Sequence, residues 1–353
     1  MPSAASSMAR TRPLRMGVLS TAKIARQWIR DLQGCNAVQI VAVASRSDAA
    51  AQAFAQEYSL PRWHGSYEAL LADADVDAIY IPLPNSLHAT WAIAAARQGK
   101  HVLCEKPLAL GKEEAEAMFA AARDYGVVLL EAYPWWFQPQ TRDLLALLQG
   151  GAIGDVRTVQ ASFGFTLANG GTGNIRMNPE LGGGALLDAG SYTLSMIRLV
   201  MGEAPLSVMA HATYADTGVD ISLMATLLYA DGRRAQLSCA MDVANHRRAT
   251  ITGTAGTIET EYLNHTSDGP GHPWGYLPSE LRVRRGTANS IPFEPVQSAT
   301  GSGFRFGAEA FADVVATGDT AAVERAAQAS IDIAATLEAI ARTAREGREI
   351  ALG

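Results

Sequence analysis

At 353 residues the chain exceeds the size of most single hydrophobic cores, so it is expected to fold as two domains. Hydrophobic residues make up 48% of it and charged residues 18%, a composition that excludes general disorder. A net charge of −6 supplies no basic field for nucleic acid or for an anionic membrane.

The cysteines and the first residues bear on the compartment. Cys35, Cys104 and Cys239 are scattered and odd in number, which indicates neither a disulfide framework nor a zinc site. No apolar run reaches the ~18 residues that span a bilayer. Residues 1–13 carry arginines but no apolar segment, so they are interpreted as a flexible tail and not as a signal peptide. We therefore expect a cytoplasmic protein without a metal.

The first predicted unit is a strand, a tight turn and a helix. Residues 14–19 form a short apolar run, and a helical pattern follows. Dinucleotide-binding folds place a glycine-rich turn here, so that backbone N–H groups at the helix N-terminus reach a pyrophosphate. Here the corresponding residues are the small Ser20, Ala22 and Ala25. They permit close approach of a ligand, but they also fit an ordinary strand-to-helix turn.

The second predicted strand bears on cofactor choice. It covers residues 39–44 and ends at Ser45 and Arg46. In NAD-binding folds an acidic residue here binds the ribose 2′-hydroxyl, whereas an arginine suits a 2′-phosphate. Since Asp48 is the first carboxylate after the strand, the sequence favours NADP over NAD. The alternative is a solvated arginine on a loop.

A later apolar run ends in Glu105, Lys106 and Pro107. Parallel sheets bind ligands outside the carboxyl ends of their strands, so Lys106 is a candidate for the active site. Pro107 restricts the backbone of Lys106 to extended conformations and permits a cis Lys106–Pro107 bond. The alternative is a surface turn with a solvated pair of charges.

Two further segments flank this motif. The loop 82–85 follows a predicted strand at 76–81 and lies where a nicotinamide or ribose would bind. His88, one turn into the next helix, is interpreted as a capping or packing residue and not as a catalyst. Residues 133–139 are rich in aromatic side chains, which either pack in a core or form a floor under a nicotinamide or sugar ring.

The order of the elements predicts an α/β fold. Over the first ~120 residues strands alternate with helices, which implies a doubly wound parallel sheet of the Rossmann type. From residue 141 adjacent strands joined by turns predict a C-terminal α+β domain with a large, mostly antiparallel open sheet. The predicted domains are a dinucleotide-binding domain at 14–133 and a substrate-binding and oligomerisation domain at 134–353. The terminal helices could pack back on the first domain.

One segment of the second domain breaks the strand pattern. Arg176 is followed by three glycines, residues 182–184, and then by Asp188 and Tyr192. If a helix has begun at Asp188, Asp188 and Tyr192 lie on one face of it, and Asp188 is near its positive end. The alternative is a capping aspartate with a tyrosine in the core.

Together these motifs resemble the Gfo/Idh/MocA family of NAD(P)-dependent oxidoreductases, most closely its dihydrodiol dehydrogenase and D-xylose 1-dehydrogenase branch. The resemblance rests on residues 80–88, 105–107 and 182–192. It implies that Lys106 is the active-site lysine, that Tyr192 is the proton donor or acceptor, and that Asp188 positions Tyr192 or the substrate. Predicted contacts with the cofactor are Ser20, Thr21, Ala22, Ile24, Ser45, Arg46, Pro82, Leu83, Asn85, His88, Glu105, Lys106 and Trp136. Predicted contacts with the substrate are Tyr133, Trp136, Arg176, Asp188 and Tyr192.

The chain departs from that branch at two places. Relatives in the branch usually have an arginine and a histidine shortly after the last strand of the first domain, where this chain has Trp136 and Gln138. The identity of the substrate is therefore left open.

The implied chemistry is hydride transfer coupled to proton transfer. Oxidising a carbinol removes the hydroxyl proton as the hydride leaves for the nicotinamide. A tyrosine, with an ordinary pKa near ~10, is a poor base at neutral pH, and an adjacent ammonium favours its phenolate. Our hypothesis is that Tyr192 exchanges the proton, while Lys106 tunes it and hydrogen-bonds the reacting oxygen.

Three readings of function are kept. The first is an NADP-dependent dehydrogenase or reductase acting on a sugar, cyclic polyol or dihydrodiol, with NAD as a second possible cofactor. The second is a non-catalytic dinucleotide- or sugar-sensing regulatory protein of the same fold. The third is an enzyme that retains its nicotinamide and recycles it between two substrates. A dimer or tetramer formed through the C-terminal sheet is expected.

Overall fold

The computed structural model describes residues 12–171 and 173–352, so nearly all of the predicted tail at 1–13 lies outside the described residues. Two compact units make up the chain. The first runs to Ala109 and adds Glu113–Pro134 and Phe304–Ser330, and the second contains Leu110–Lys112, Trp135–Gly303 and the residues from Ile331 onward.

In the first unit, strands and helices alternate along the chain up to residue 132. They are β1 (Leu14–Leu19), α1 (Lys23–Asp31), β2 (Val38–Ala44), α2 (Asp48–Glu57), β3 (Arg62–His64), α3 (Tyr67–Leu71), β4 (Ala78–Ile81), α4 (His88–Arg97), β5 (His101–Glu105), α5 (Lys112–Asp124) and β6 (Leu129–Ala132).

The rest of the chain is mainly strands, with one long helix at its start, one in its middle and two at its end. The elements are α6 (Pro139–Gln149), β7 (Val156–Thr166), α7 (Ser191–Met201), β8 (Ser207–Tyr214), β9 (Asp220–Leu228), β10 (Arg234–Ala240), β11 (Asp242–Gly253), β12 (Gly256–Thr260), β13 (His265–Thr266), β14 (Leu281–Arg285), β15 (Glu294–Pro295), β16 (Gly301–Ser302), α8 (Gly303–Thr317), α9 (Thr320–Glu346) and β17 (Ile350–Ala351).

The sheet of the first unit is parallel throughout, with strand order β3-β2-β1-β4-β5-β6. The order reverses between β1 and β4, and such a reversal opens a crevice at the carboxyl ends of the two strands. The predicted doubly wound parallel sheet is thus confirmed. The sequence did not reveal β3, because this edge strand has only three residues, none of them fully buried.

Strand β1 lies in the middle of the core of the first unit. Met16 and Val18 on β1 have no exposed surface, as expected of a parallel strand covered on both faces. The Trp28 ring stacks on Tyr80 with centroids 4.2 Å apart. Phe311 of α8 is buried in the same cluster, so this late helix completes the core of the first unit.

The second unit has a nine-stranded sheet in the order β15-β14-β12-β11-β7-β10-β9-β8-β17. Of the described pairs in this sheet, β7 and β10 run parallel and the others run antiparallel, which confirms the predicted mostly antiparallel sheet. A turn at Asp231-Gly232 joins β9 to β10, and Gly232 has φ +83°, which glycine adopts without strain.

The two faces of this sheet differ. On β9, Leu223, Ala225 and Leu227 are buried, whereas the alternate residue Met224 is 66% exposed. Helix α7 packs on β7 and β10. The opposite face carries mostly small polar side chains with Met224 among them. Among the described residues, every helix is too short or too polar to cross a bilayer.

Candidate active site

Predicted cofactor contacts follow several neighbouring strands of the parallel sheet. Since the strands are parallel, their carboxyl ends lie along one edge. The residues that follow β1, β2, β4, β5 and β6 are Ser20, Ser45, Pro82, Lys106 and Tyr133.

The turn after β1 suits a phosphate. Ser20 has φ +147°, a backbone conformation that glycine favours, and its Oγ accepts a hydrogen bond from the N–H of Ala22 at 2.9 Å. Helix α1 starts at Lys23 without a side-chain cap and without an acidic residue in its first turn. Its first N–H groups and the positive end of its dipole therefore fit the pyrophosphate of a dinucleotide. Thr21, Ala22 and Ile24 are partly accessible along this turn.

The end of β2 carries a positive charge. Arg46 is exposed, and Ser45 beside it is partly buried. Ser47 caps the next helix, since its Oγ accepts from the N–H of Ala50 at 3.3 Å. Asp48 is already inside α2, so the first charged residue after the strand end is the cation Arg46, which suits a 2′-phosphate.

The loop after β5 contains Lys106. The Lys106–Pro107 bond is cis, which confirms the prediction. Glu105 is buried, and its Oε1 accepts from the hydroxyl of Tyr80 at 2.6 Å, while its Oε2 lies 3.3 Å from the donating N–H of Lys106. The Lys106 side chain itself is partly exposed. A buried carboxylate thus holds the backbone from which the ammonium extends.

His88 joins two of these loops. The ring is fully buried, with Nδ1 2.9 Å from the carbonyl oxygen of Pro107 and Nε2 2.9 Å from that of Leu83. Burial lowers the pKa of His88, and the charge of Lys106 lowers it further. A neutral imidazole donates only one of the two hydrogen bonds at a time. His88 therefore supports the loops, and its contact with a cofactor stays a prediction, as do those of Leu83 and Asn85.

In the second unit Tyr192 lies near the start of α7. The Nδ2 of Asn264 donates to the Tyr192 hydroxyl oxygen at 3.0 Å. The guanidinium carbon of Arg247 lies 4.2 Å from the centroid of the Tyr192 ring, and Phe163 meets the same ring edge-on at 5.6 Å. Both the amide donor and the cation stabilise negative charge on the phenol oxygen.

Arg247 and Asn264 are functional candidates that the sequence did not suggest. The Arg247 guanidinium also lies 4.5 Å from the ring of Tyr262, and its Nη1 donates to Asn264 Oδ1 at 3.1 Å. Burial lowers the pKa of Arg247, and no carboxylate in residues 12–171 or 173–352 pairs with it. In the sequence it belongs to a polar run, His246-Arg247-Arg248, that resembles a solvated strand.

Asp188 pairs with Arg176, which lies 12 residues earlier in the sequence. Arg176 donates to Asp188 through Nε at 2.6 Å and through Nη2 at 3.3 Å. Burial lowers the pKa of Arg176, but the charges of Asp188 and Tyr192 more than offset this and raise it. The structure therefore brings together Arg176, Asp188 and Tyr192. The α-helix begins at Ser191 and not at Asp188, because residues 186–190 form a wider π-helical turn.

The glycine run makes room for this turn. A Cβ at Gly183 would lie 2.4 Å from the carbonyl oxygen of Arg176, and one at Gly184 would lie 2.2 Å from a carboxylate oxygen of Asp220. Asp220 in turn accepts from the N–H of Leu186 at 2.6 Å. The glycines thus allow the Arg176 segment and Asp220 to hold the backbone that carries Asp188.

The aromatic segment separates into buried and accessible members. Tyr133 and Trp135 are fully buried, and Trp136 is only partly buried. Gln138 is buried and donates through Nε2 to the carbonyl oxygens of Asn264 at 2.7 Å and Gly301 at 2.9 Å. Gln138 therefore holds the loop that presents Asn264 to Tyr192. The contacts of Tyr133 and Trp136 with ligands stay predictions.

Comparison with known proteins covers both units. A model for an oxidoreductase family with an NAD-binding Rossmann fold matches residues 14–133. A model for the GFO/IDH/MocA C-terminal domain matches residues 141–259.

Individual relatives cover nearly the whole chain. A D-xylose 1-dehydrogenase (NADP(+)) of Haloferax volcanii is 36% identical over 96% of this chain and 100% of its own. A trans-1,2-dihydrobenzene-1,2-diol dehydrogenase of Xenopus laevis is 35% identical over 84% of this chain and 87% of its own. The crystal structure of a 3-ketoreductase from Actinomadura kijaniata with NADP and TDP-benzene aligns with a TM-score of 0.83 at 30% identity, over 94% of this chain and 98% of the other.

The setting of Arg247 predicts an unusual result for Arg247→Met. A buried cation without a carboxylate partner is unfavourable for folding, so an apolar side chain of similar length should leave the thermal midpoint within about 3 °C of the parent or raise it. Turnover should fall by about tenfold or more, because the cation over the Tyr192 ring is lost. Differential scanning calorimetry and initial rates measure the two effects.

Arg157→Met is the matched control, since Arg157 lies on β7 with 56% of its side chain exposed, and it should change neither quantity. A midpoint more than about 6 °C lower for Arg247→Met would mean that Arg247 holds the fold.

Proposed function

The chain belongs to the GFO/IDH/MocA oxidoreductase family, and on that premise we propose that it is an NADP-dependent dehydrogenase or reductase whose substrate is a sugar, cyclic polyol or dihydrodiol. The two family matches and the named relatives confirm the resemblance that three sequence motifs indicated. When bound, NADP accepts or supplies a hydride at C4 of its nicotinamide.

The observation that carries the proposal is the setting of Tyr192. Its hydroxyl oxygen receives a hydrogen bond from Asn264, and the Arg247 guanidinium covers its ring. The amide donor and the cation favour the phenolate and so oppose the burial of the ring, which favours the neutral phenol. Tyr192 takes the proton of a substrate hydroxyl when the carbinol is oxidised and returns it when a carbonyl is reduced.

Lys106 is assigned the second role in the reaction. Its ammonium favours the phenolate of Tyr192 and donates a hydrogen bond to the reacting oxygen of the substrate, where negative charge develops. The support for this role is the way in which its backbone is held by Glu105 and His88, which fixes the stem of a long side chain. Asp188, paired with Arg176, positions the substrate or Tyr192.

NADP is assigned to the carboxyl edge of the parallel sheet. Its pyrophosphate suits the uncapped start of α1, and its 2′-phosphate suits the exposed Arg46 at the end of β2. The relatives support the same cofactor, since the Haloferax volcanii enzyme is named for NADP and the Actinomadura kijaniata structure contains it.

The polar face of the nine-stranded sheet is assigned to self-association. A sheet with helices on one side leaves its other face to be covered, and here that face carries the exposed Met224. We assign a dimer or tetramer to this face. The free thiols of Cys35, Cys104 and Cys239 support the cytoplasm as the compartment.

The proposed roles predict large losses for two conservative variants. Tyr192→Phe removes only the hydroxyl, and Lys106→Met removes only the charge. Each should lower kcat by about 100-fold or more with NADP and an active aldose or diol, as general acid–base groups do. Initial rates from nicotinamide absorbance at 340 nm measure the effect.

A double variant tests whether the two groups act in one step. If they do, the loss in the double variant is much smaller than the product of the single losses. Single variants within threefold of the parent would contradict the assignment. A parent that binds NADPH but turns over none of a panel of aldoses, polyols and diols would instead support a sensing protein.

The proposed role of Arg46 is to favour NADP over NAD, and a charge reversal at this residue tests it. Arg46→Asp replaces the cation with a carboxylate that accepts from a ribose 2′-hydroxyl, so KM for NADP should rise by about tenfold or more while KM for NAD falls. Arg123→Asp, an exposed change on α5 with the same charge difference, should leave both unchanged. Equal KM values for NADP in the parent and in Arg46→Asp would refute the placement of the 2′-phosphate.

A charge at Met224 tests whether the sheet face that carries it forms the interface between subunits. A charge in the middle of a self-associating face is repelled by its symmetry mate, so Met224→Glu should convert the oligomer to a monomer at micromolar concentration. Multi-angle light scattering measures the mass. Tyr125→Glu, at a residue of the first unit that is 51% exposed, is the control and should keep the mass of the parent. An unchanged mass for Met224→Glu would place the interface elsewhere.

A further inference from the structure

Glu131 is a buried carboxyl group for which the proposed reaction has no use so far. It lies on β6, paired with Cys104 of the neighbouring strand β5, and is only 3% exposed. Neither the sequence motifs nor the predicted contacts included it. A carboxyl group buried to this extent is unfavourable unless donors surround it.

The donors come from two distant segments. The N–H of Leu108 donates to Glu131 Oε1 at 2.8 Å, and the hydroxyl of Ser330 on α9 donates to Oε2 at 2.6 Å. Ser330 is itself 1% exposed. Leu108 is two residues beyond Lys106, so Glu131 fixes the far side of the loop whose near side is held by Glu105.

Three consecutive residues are thus held by three buried ionisable side chains. Glu105 accepts from the N–H of Lys106, the His88 ring contacts the carbonyl oxygen of Pro107, and Glu131 accepts from the N–H of Leu108. These side chains come from β5, α4 and β6. The arrangement leaves the Lys106 backbone little freedom.

The charge of Lys106 acts on Glu131 as well. The pKa of Glu131 is raised from 4.5 to about 7, because burial raises it by more than the hydrogen bonds from Ser330 and Leu108, the nearby hydroxyl of Tyr133 and the charge of Lys106 lower it. The other ionisable groups around Lys106 are His88, Glu105 and the Cys104 thiol. Burial lowers the pKa of His88 and raises the pKa of the Cys104 thiol, so both groups stay neutral.

We propose that Glu131 is a positioning residue for Lys106, which holds the loop at Leu108 and supplies a negative charge that keeps the ammonium in place, and that protonation of Glu131 weakens the reaction. The inference rests on the role proposed for Lys106. In this proposal Glu131 is a second group, besides Tyr192, whose protonation changes the rate. Glu131 contacts neither the reacting atoms nor the cofactor and acts through Lys106.

A direct titration tests the proposal without any turnover. The protein is labelled with glutamate carrying 13C at the side-chain carboxyl, and the Glu131 resonance is identified by its absence from Glu131→Gln. We expect a midpoint near 7, which moves up by about half a pH unit or more in Lys106→Met, because the neighbouring positive charge is gone. Ser330→Ala should also move it up, since a donor to the carboxylate is lost. A midpoint below about 5.5, or one that ignores Lys106→Met, would overturn the proposal.

Kinetics provide the second readout. Glu131→Gln keeps the shape of the side chain and removes its charge, so kcat should fall by about tenfold while KM for NADP stays within threefold, and the fall of kcat between pH 8 and 6 should disappear. Ser330→Ala keeps the charge and should keep that fall. Glu113→Gln, an exposed change on α5, is the control for loss of one carboxylate.

The outcomes separate the two proposals. If Glu131→Gln keeps the rate and the pH profile of the parent, Glu131 is only structural and the inference is wrong. If Glu131→Gln does not fold, the Glu131 resonance is identified instead as the one that shifts in Ser330→Ala. Whether the midpoint of that resonance moves in Lys106→Met then decides whether the charge of Lys106 acts on Glu131. A parent without turnover on sugars, polyols or diols refutes the proposed function and leaves the titration of Glu131 to stand by itself.

Discussion

The short loop after β5 is the constraint on which the first unit depends. A lysine side chain has four rotatable bonds, and its ammonium can be placed accurately only if the backbone below it is fixed. Here the backbone at Lys106, Pro107 and Leu108 is bound in turn by Glu105, His88 and Glu131. The parallel sheet supplies the rigid base, because β4, β5 and β6 end side by side at that loop.

The second unit solves a different electrostatic problem. A phenol that exchanges protons near neutral pH needs positive charge nearby, and a carboxylate beside that charge would cancel it. Arg247 supplies the charge among the rings of Phe163, Tyr192 and Tyr262, where aromatic faces partly replace water. Arg176 is instead paired with Asp188, which neutralises its charge. The two arginines therefore act differently on the same tyrosine.

Much of the fold could be predicted from local patterns. The apolar run of β1, the capping serines Ser47 and Ser66 and the stop at Gly126 are local features, and the structure has all of them. The edge strand β3 was missed, because a strand of three residues gives no periodic signal. For the site, the motifs identified Lys106, Asp188 and Tyr192, whereas Arg247, Asn264 and Glu131 acquire importance only through contacts across dozens of residues, which no local pattern encodes.

The close approach of Gly184 to Asp220 restricts the residues that both positions accept. The carboxylate of Asp220 occupies the volume in which any side chain at position 184 would begin, and the same carboxylate anchors the turn that carries Asp188. A side chain at position 184 would meet that carboxylate and would also be strained by the φ of +117°, which glycine adopts without strain, so removing the carboxylate would relieve only one of the two obstacles. Sequence variation in the turn that carries Asp188 is therefore expected at positions other than 184 and 220.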